Sequence, residues 1–222
     1  LIVAEAEREL LDVSEARGAN SLTTFRESVG RVMEAANEAY VAGGRPRGLP
    51  TGLLDLDKKL GGLAPGNLIV LAGRPGMGKT AMAINIAWHL AKLHMTSGGK
   101  EGCPVQFDSM EMQADELSAR ILATESEVPA NRIVTGEMDE DEASRVIRTG
   151  LAIQDTPLSI DDAGGLTIAR LAARARRLKR KSGFGLLVID YLQLIVGTNK
   201  SGNRVQDVTE ITVGLKALAK DL

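Results

Sequence analysis

Apolar residues recur along this chain in two rhythms. Near the start, Val3, Ala6, Leu10 and Val13 follow one another at three- and four-residue steps, the period of a helix with a single apolar stripe. Residues 1–17 therefore read as an amphipathic helix, ended by Gly18-Ala19-Asn20. Thr24-Phe25-Arg26-Glu27 has the spacing of a capping box. It opens a second helix whose apolar side is Phe25, Val29, Val32, Ala36 and Tyr40. Val41 to Pro50 is rich in Gly and Pro and reads as a connector. Two readings of these helices stay open. They pack on the chain's own core, or one of them docks on a neighbouring copy.

Beyond the connector the rhythm changes to short runs, mostly apolar: Leu68 to Ala72, Val105 to Asp108, Leu158 to Ile160 and Leu186 to Asp190. Such runs suit strands buried on both faces. Helical patterns lie between them. Thr51 to Asp57 opens a short helix closed by Gly61-Gly62. Ala81 to Leu93 is apolar nearly all round (Met82, Ile84, Ile86, Ala87, Trp88, Leu90, Leu93), so it is expected to be buried. Ala114 to Glu125 turns Leu117, Ile121 and Leu122 inward. Asp139 to Glu142 place acids on the first turn of a helix reaching about Ile153. Thr167 caps another, ending near Lys181. Strands alternating with helices predict an α/β fold with a mainly parallel sheet flanked by helices. The division expected is a helical linker over 1–45 and the α/β domain over 46–222.

Composition changes this picture little. Lys and Arg number 27 against 29 Asp and Glu, a net charge of −2, so any basic surface must be local. Aromatic residues make up only 3%, which argues against stacking platforms for bases. The single cysteine, Cys103, has no internal disulfide partner, fits a reducing cytoplasmic setting and reads as a packing residue. No apolar stretch approaches a membrane span. His89 and His94 have no carboxylate or cysteine neighbours at metal spacing and read as ordinary helix residues. The chain starts with Leu and stops in or just after a helix, so it is expected to be a fragment.

The chemistry gathers at the ends of three of the apolar runs. Gly73-Arg74-Pro75-Gly76-Met77-Gly78-Lys79-Thr80 fits G-x-x-x-x-G-K-[ST], between an apolar run and a helical one. That context makes it a phosphate-binding loop. The glycines let backbone N–H groups approach phosphate oxygens, and the helix aims its positive end at the same place. Lys79 offers a charge to the β- and γ-phosphates of a nucleotide such as ATP, and Thr80 a hydroxyl to Mg²⁺. Asp190 follows four apolar residues, the Walker B pattern, and would emerge beside the loop to hold the water shell of Mg²⁺. Glu111 follows the run at 105–108, where a carboxylate could polarise an attacking water; on the residues alone, Asp108 competes for that role and a plain surface acid is the other reading of Glu111.

LAGRPGMGKT at 71–80, FDSMEM at 107–112, VIDYLQL at 188–194 and NRVQDVTEITVGLKALAKDL at 203–222 together resemble the DnaB family of bacterial replicative DNA helicases. TGLLDLDKKLGGL at 51–63 and LTIARLAARARRLKR at 166–180 add to the likeness. The resemblance covers nearly the whole chain and is weakest over residues 1–40. It implies a RecA-like P-loop ATPase core preceded by a helical linker. By position it assigns Lys79 and Thr80 to phosphate and Mg²⁺, Glu111 to the catalytic carboxylate, Asp190 to Walker B and Gln193 to coupling between nucleotide and DNA. Met110 stands where the family more often has Leu, a change that conserves volume.

The family places a DNA contact in the loop Gly197 to Gln206. Lys200 and Arg204 there suit phosphates without sequence readout; a solvated loop is the other reading. The basic helix from Arg170 to Lys181 reads as a solvated face, with Arg170, Arg174, Arg177 and Lys181 opposite Leu171 and Leu178. The resemblance further implies a ring-shaped homohexamer on single-stranded DNA, a helicase loader, primase and a place in the bacterial cytoplasm at the nucleoid. A nucleotide sensor and an arginine finger would lie beyond residue 222, so weak ATPase is expected of this stretch alone. The rivals are a RecA/RadA-type recombination or repair ATPase and a nucleotide-switch adaptor that does not hydrolyse.

Overall fold

A computed structural model describes residues 23–41, 48–165, 167–195 and 204–222, with the side chains at 182 and 204 outside the description. The chain divides between residues 45 and 46 into two units, each taken by itself. The expected helix over 1–17 lies outside the described residues. In the first unit, α1 spans Phe25–Val41. Its capping box is formed as the spacing predicts: the Thr24 N–H donates to Glu27 Oε2 at 2.9 Å and the Glu27 N–H to Thr24 Oγ1 at 3.3 Å.

The second unit runs α2 (Leu54–Leu60), α3 (Lys79–Thr96), β1 (Val105–Ser109), α4 (Ala114–Ser126), α5 (Ala130–Thr135), α6 (Glu140–Ile153), β2 (Leu158–Asp161), α7 (Ile168–Ser182), β3 (Leu186–Asp190), a 3₁₀ turn (Leu192–Leu194) and α8 (Arg204–Asp221). The strands form a parallel sheet in the order β2-β1-β3. Parallel neighbours need crossovers, and the intervening helices supply them.

Strand parity sorts the core into two layers. Val105 and Phe107 of β1 join α3 and α4, with Leu186 and Val188 of β3 packed against the same layer. The alternate residues Leu187 and Ile189 face a second layer built by Leu171 and Ala175 of α7 with Ile211, Leu215 and Leu218 of α8. Gln106 and Asp108 share that second face by parity and register, yet both are buried. They satisfy each other, Gln106 Nε2 donating to Asp108 Oδ1 at 2.7 Å.

One expectation fails. Leu68 to Ala72 forms no ladder and is no strand. Leu68 packs on the second layer, but Ile69, Val70 and Leu71 are exposed, Val70 by 67%. An apolar strand is buried only when partners cover both its sides. Here β3 lies on one side, separated by a cleft of about 390 Å³ between residues 63–69, β3 and α8. Among the described residues, β3 therefore has no ladder partner on its side away from β1.

The approach to this run is firmly held. Leu49 and Leu63 form an antiparallel bridge, with N–H···O distances of 2.9 and 2.8 Å. Within it, buried Asp57 accepts from the Thr51 backbone N–H at 2.8 Å and the Thr51 hydroxyl at 2.7 Å. Lys216 of α8 donates to the Gly66 carbonyl at 2.7 Å.

Candidate active site

The phosphate loop ends where α3 begins. Gly76 (φ 76°) and Gly78 (φ 80°) both sit in the left-handed region that side chains avoid. Gly78 caps α3 without a side-chain hydrogen bond, so the first N–H groups of that 18-residue helix stay available to a ligand. A Cβ at either glycine would meet nothing within 4 Å. Their requirement is thus for backbone conformation and for approach by a ligand, since no protein atom crowds them. Lys79 arches back over the loop, its Nζ donating to the carbonyls of Gly73 at 3.1 Å and Arg74 at 3.2 Å. The Met77 N–H closes the turn onto the Arg74 carbonyl at 3.3 Å, and Pro75 lies within that turn. The hollow over the loop measures about 510 Å³ and is lined by Gly73, Arg74, Met77, Gly78, Lys79 and their apolar neighbours. Thr80 is half-buried on the first turn of α3.

Strand register decides which carboxylates share the loop's side of the sheet. Ser109 pairs with Asp190, two residues on from Phe107 and Val188, so both share the face that α3 covers. Asp190 is 6% exposed, and its Oδ2 is buried with no hydrogen-bond partner. A buried carboxylate oxygen left unpaired is costly unless it is to be completed by a ligand. Asp108 has the opposite parity. It faces the α7 side, 4% exposed. Burial raises its pKa, while the hydrogen bond from Gln106 and the charge of Arg174 pull the other way. Asp108 is therefore turned away from α3, on the opposite face of the sheet from Asp190.

Glu111 is exposed, on the turn that leaves β1. That turn is fixed at three points. The Met110 N–H donates to the Asp190 carbonyl at 2.7 Å. The Ser109 hydroxyl donates to the Met112 carbonyl at 2.7 Å and accepts from the Met112 N–H at 3.1 Å. Asp162, just past the end of the neighbouring strand β2, accepts from the Ala114 N–H at 3.1 Å, holding the start of α4. The backbones bearing Glu111 and Asp190 are thus tied, while no hydrogen bond joins either side chain to the phosphate loop among the described residues.

The donor set fits a nucleotide with Mg²⁺. The loop offers unpaired N–H groups, an ammonium and a hydroxyl, and the sheet offers an uncompensated carboxylate oxygen. Gln193 is exposed on the 3₁₀ turn just past Asp190. Lys200 lies outside the described residues. Arg204 opens α8, with its side chain outside the description. The basic helix α7 departs from its expected uniform solvation. Arg170, Arg177 and Lys181 are exposed, but Arg174 is ion-paired with Asp161 and Arg176 donates to Asp221 at 2.6 Å. Helical period alone does not reveal these pairings, because the partners sit on other elements and meet α7 only in the folded chain.

Residues 48–222 match the family profile described as "DnaB-like helicase C terminal domain". The chain is 41% identical over 221 residues to a protein of Rickettsia prowazekii (strain Madrid E) named replicative DNA helicase DnaB, covering 98% of this chain and 46% of that protein. It is 32% identical over 222 residues to the replicative DNA helicase DnaC of Bacillus subtilis (strain 168), covering 100% and 47%. The chain thus spans about half the length of the curated relatives it matches. Among solved structures it is similar to one described as an ATPase domain, with a TM-score of 0.77 at 26% identity over 90% of this chain and 68% of that one. It is also similar to a DnaB-like replicative helicase studied for its interactions with primase, with a TM-score of 0.70 at 25% identity over 97% and 55%.

Proposed function

We propose, because this chain belongs to the family of DnaB-like helicase C-terminal domains, that it is the ATP-hydrolysing motor of a replicative DNA helicase. The fold is RecA-like. The observation that carries the reading is the phosphate loop: two glycines at positive φ lead into a helix whose first N–H groups are unclaimed, with Lys79 arched over them.

In this reading the loop from Gly73 to Thr80 takes the triphosphate of ATP. Lys79 exchanges the carbonyls of Gly73 and Arg74 for β- and γ-phosphate oxygens. Thr80, with Asp190 acting through water, would hold Mg²⁺, whose chemistry when bound is to neutralise charge developing on the phosphates. Glu111 accepts a proton from the attacking water. Glu111 is exposed and its turn is tied to the Asp190 backbone, which suits a base that must meet solvent and still keep its place. Lys200 and Arg204 contact the phosphates of single-stranded DNA, and Gln193 relays the state of the nucleotide to them. The active form is a ring-shaped homohexamer in the bacterial cytoplasm at the nucleoid. It moves along one strand of forked DNA, put in place by a loader and working with primase, the partner named for one structural relative.

The test is hydrolysis and unwinding by the full-length protein. Lys79→Ala should abolish ATP turnover and unwinding of a forked duplex. Glu111→Gln should abolish turnover while nucleotide still binds. Turnover persisting in the Glu111 variant would remove Glu111 as the base. Strand exchange without fork unwinding would replace the helicase with a recombination ATPase.

A further inference from the structure

We propose that Ser109 is the positioning residue for Glu111, its hydroxyl fixing the three-residue turn that aims the carboxylate at the attacking water. The inference rests on the role given to Glu111 above and deepens it. A carboxylate that activates water must be held within a fraction of an ångström of its productive position. Glu111 is exposed, so packing does not hold it. What holds it is the backbone on either side, and within that turn Ser109 is the side chain that binds it directly.

Ser109 is the last residue of β1 and only 1% exposed. Its place is set by the ladder, opposite Asp190. From there its hydroxyl reaches over Met110 and Glu111 to both backbone groups of Met112, donating to the carbonyl and accepting from the N–H. One hydroxyl thus closes the turn as a donor and an acceptor together. The preceding N–H, that of Met110, is bound to the Asp190 carbonyl. Glu111 therefore sits between two anchored backbone points. One leads to the carboxylate that would serve Mg²⁺, the other to Ser109. Alanine at 109 leaves the strand, its ladder and the Met110 tie in place. It leaves the Met112 N–H and carbonyl to find other partners, and the turn is then free to shift. A serine at a strand end carries no signal in a sequence, and only its two contacts give it this role.

The experiment compares Ser109→Ala, Ser109→Thr and Glu111→Gln with the unaltered full-length protein. It measures steady-state ATP turnover, affinity for a fluorescent ATP analogue with Mg²⁺, and thermal unfolding. Ser109→Ala should lower kcat by roughly ten- to a hundredfold, the scale of a small misplacement of a reacting group. The analogue's affinity should stay within about twofold, since the loop's own contacts are untouched. Ser109→Thr keeps the hydroxyl and should restore most of kcat. The proposal is overturned if Ser109→Ala turns over within about twofold of the unaltered protein while Glu111→Gln is dead. It is overturned equally if analogue affinity and thermal stability collapse along with kcat, or if threonine fails to rescue. Should Glu111→Gln itself remain active, the role of Glu111 falls, and this inference with it.

Discussion

Glu125 joins two helices through one carboxylate, and replacing it by alanine undoes both links at once. Trp88 Nε1 of α3 donates to Oε1 at 2.7 Å, and Lys92 Nζ, one turn further along α3, reaches Oε2 at 2.6 Å. Trp88 is 8% exposed, so removing its acceptor strands a buried N–H, which costs about 1–3 kcal/mol. Lys92 is substantially exposed, and solvent screening cuts its ion pair to about 0–1 kcal/mol. The sum for Glu125→Ala is about 1–4 kcal/mol, or roughly 2–16 °C in Tm for a domain of this size. Glutamine keeps an acceptor for the indole and gives up only the charge, so Glu125→Gln should cost no more than about 1 kcal/mol.

Acidity offers an independent check. Burial pushes the Glu125 carboxyl up, but the hydrogen bonds from Lys92 and Trp88 and the Lys92 charge outweigh it and hold its pKa below the ordinary glutamate value. A depressed carboxyl pKa contributes stability that is present above the unfolded value and lost as pH falls through the folded one. The difference between the original protein and Glu125→Gln should thus be constant above about pH 5 and shrink below about pH 4.5. Trp88 is the only tryptophan in the sequence, so its fluorescence in urea reports directly on this junction. A Glu125→Ala variant within about 0.5 kcal/mol of the original would refute the accounting, as would glutamine costing as much as alanine.

Two further substitutions probe the rest of the fold. Asp108→Asn removes a carboxylate whose pKa burial has raised. A raised carboxyl pKa means stability present below the unfolded value and lost as pH rises through the folded one, so Asn should be neutral or stabilising by about 0–1 kcal/mol at pH 7, with the gain fading below about pH 4, as urea titrations at the two pH values will show. Asp139→Ala breaks the capping box of α6, in which Asp139 accepts from the Glu142 N–H at 2.8 Å and Glu142 from the Asp139 N–H at 3.1 Å. It should cost about 1 kcal/mol by denaturant unfolding, and no change would mean the box contributes nothing in solution.

The alternation of apolar runs and helices makes the parallel sheet legible, because each crossover helix announces itself by period. The phosphate loop is legible for a different reason: its glycines and lysine are demanded by local backbone conformation and by charge, both written within one short stretch. The strand expected at 68–72 does not form because its composition specifies an apolar environment without specifying a partner, and ladder bonds depend on neighbours that composition does not name. On the residues alone Asp108 competes with Glu111, and only the family resemblance lifts Glu111 above it. The register of β1 against β3 shows that Asp108 and Asp190 lie on opposite faces of the sheet, and register is a property of two strands together. The pairing of Arg174 with Asp161 is hidden for the same cause, since it joins the end of β2 to the middle of α7 across a turn of the chain.

The unladdered side of β3 carries a consequence for the molecule outside its active site. Leu186, Leu187, Val188 and Ile189 form an uncharged β-forming run, and among the described residues their backbone on that side faces the cleft toward residues 63–69 and α8. Such a run is a template for strands from other molecules. None of the usual deterrents, a lysine, a proline or a bulge, interrupts it before Asp190. At high concentration this chain is therefore prone to self-association by strand addition, in competition with closure of the same site by its own residues 68–72.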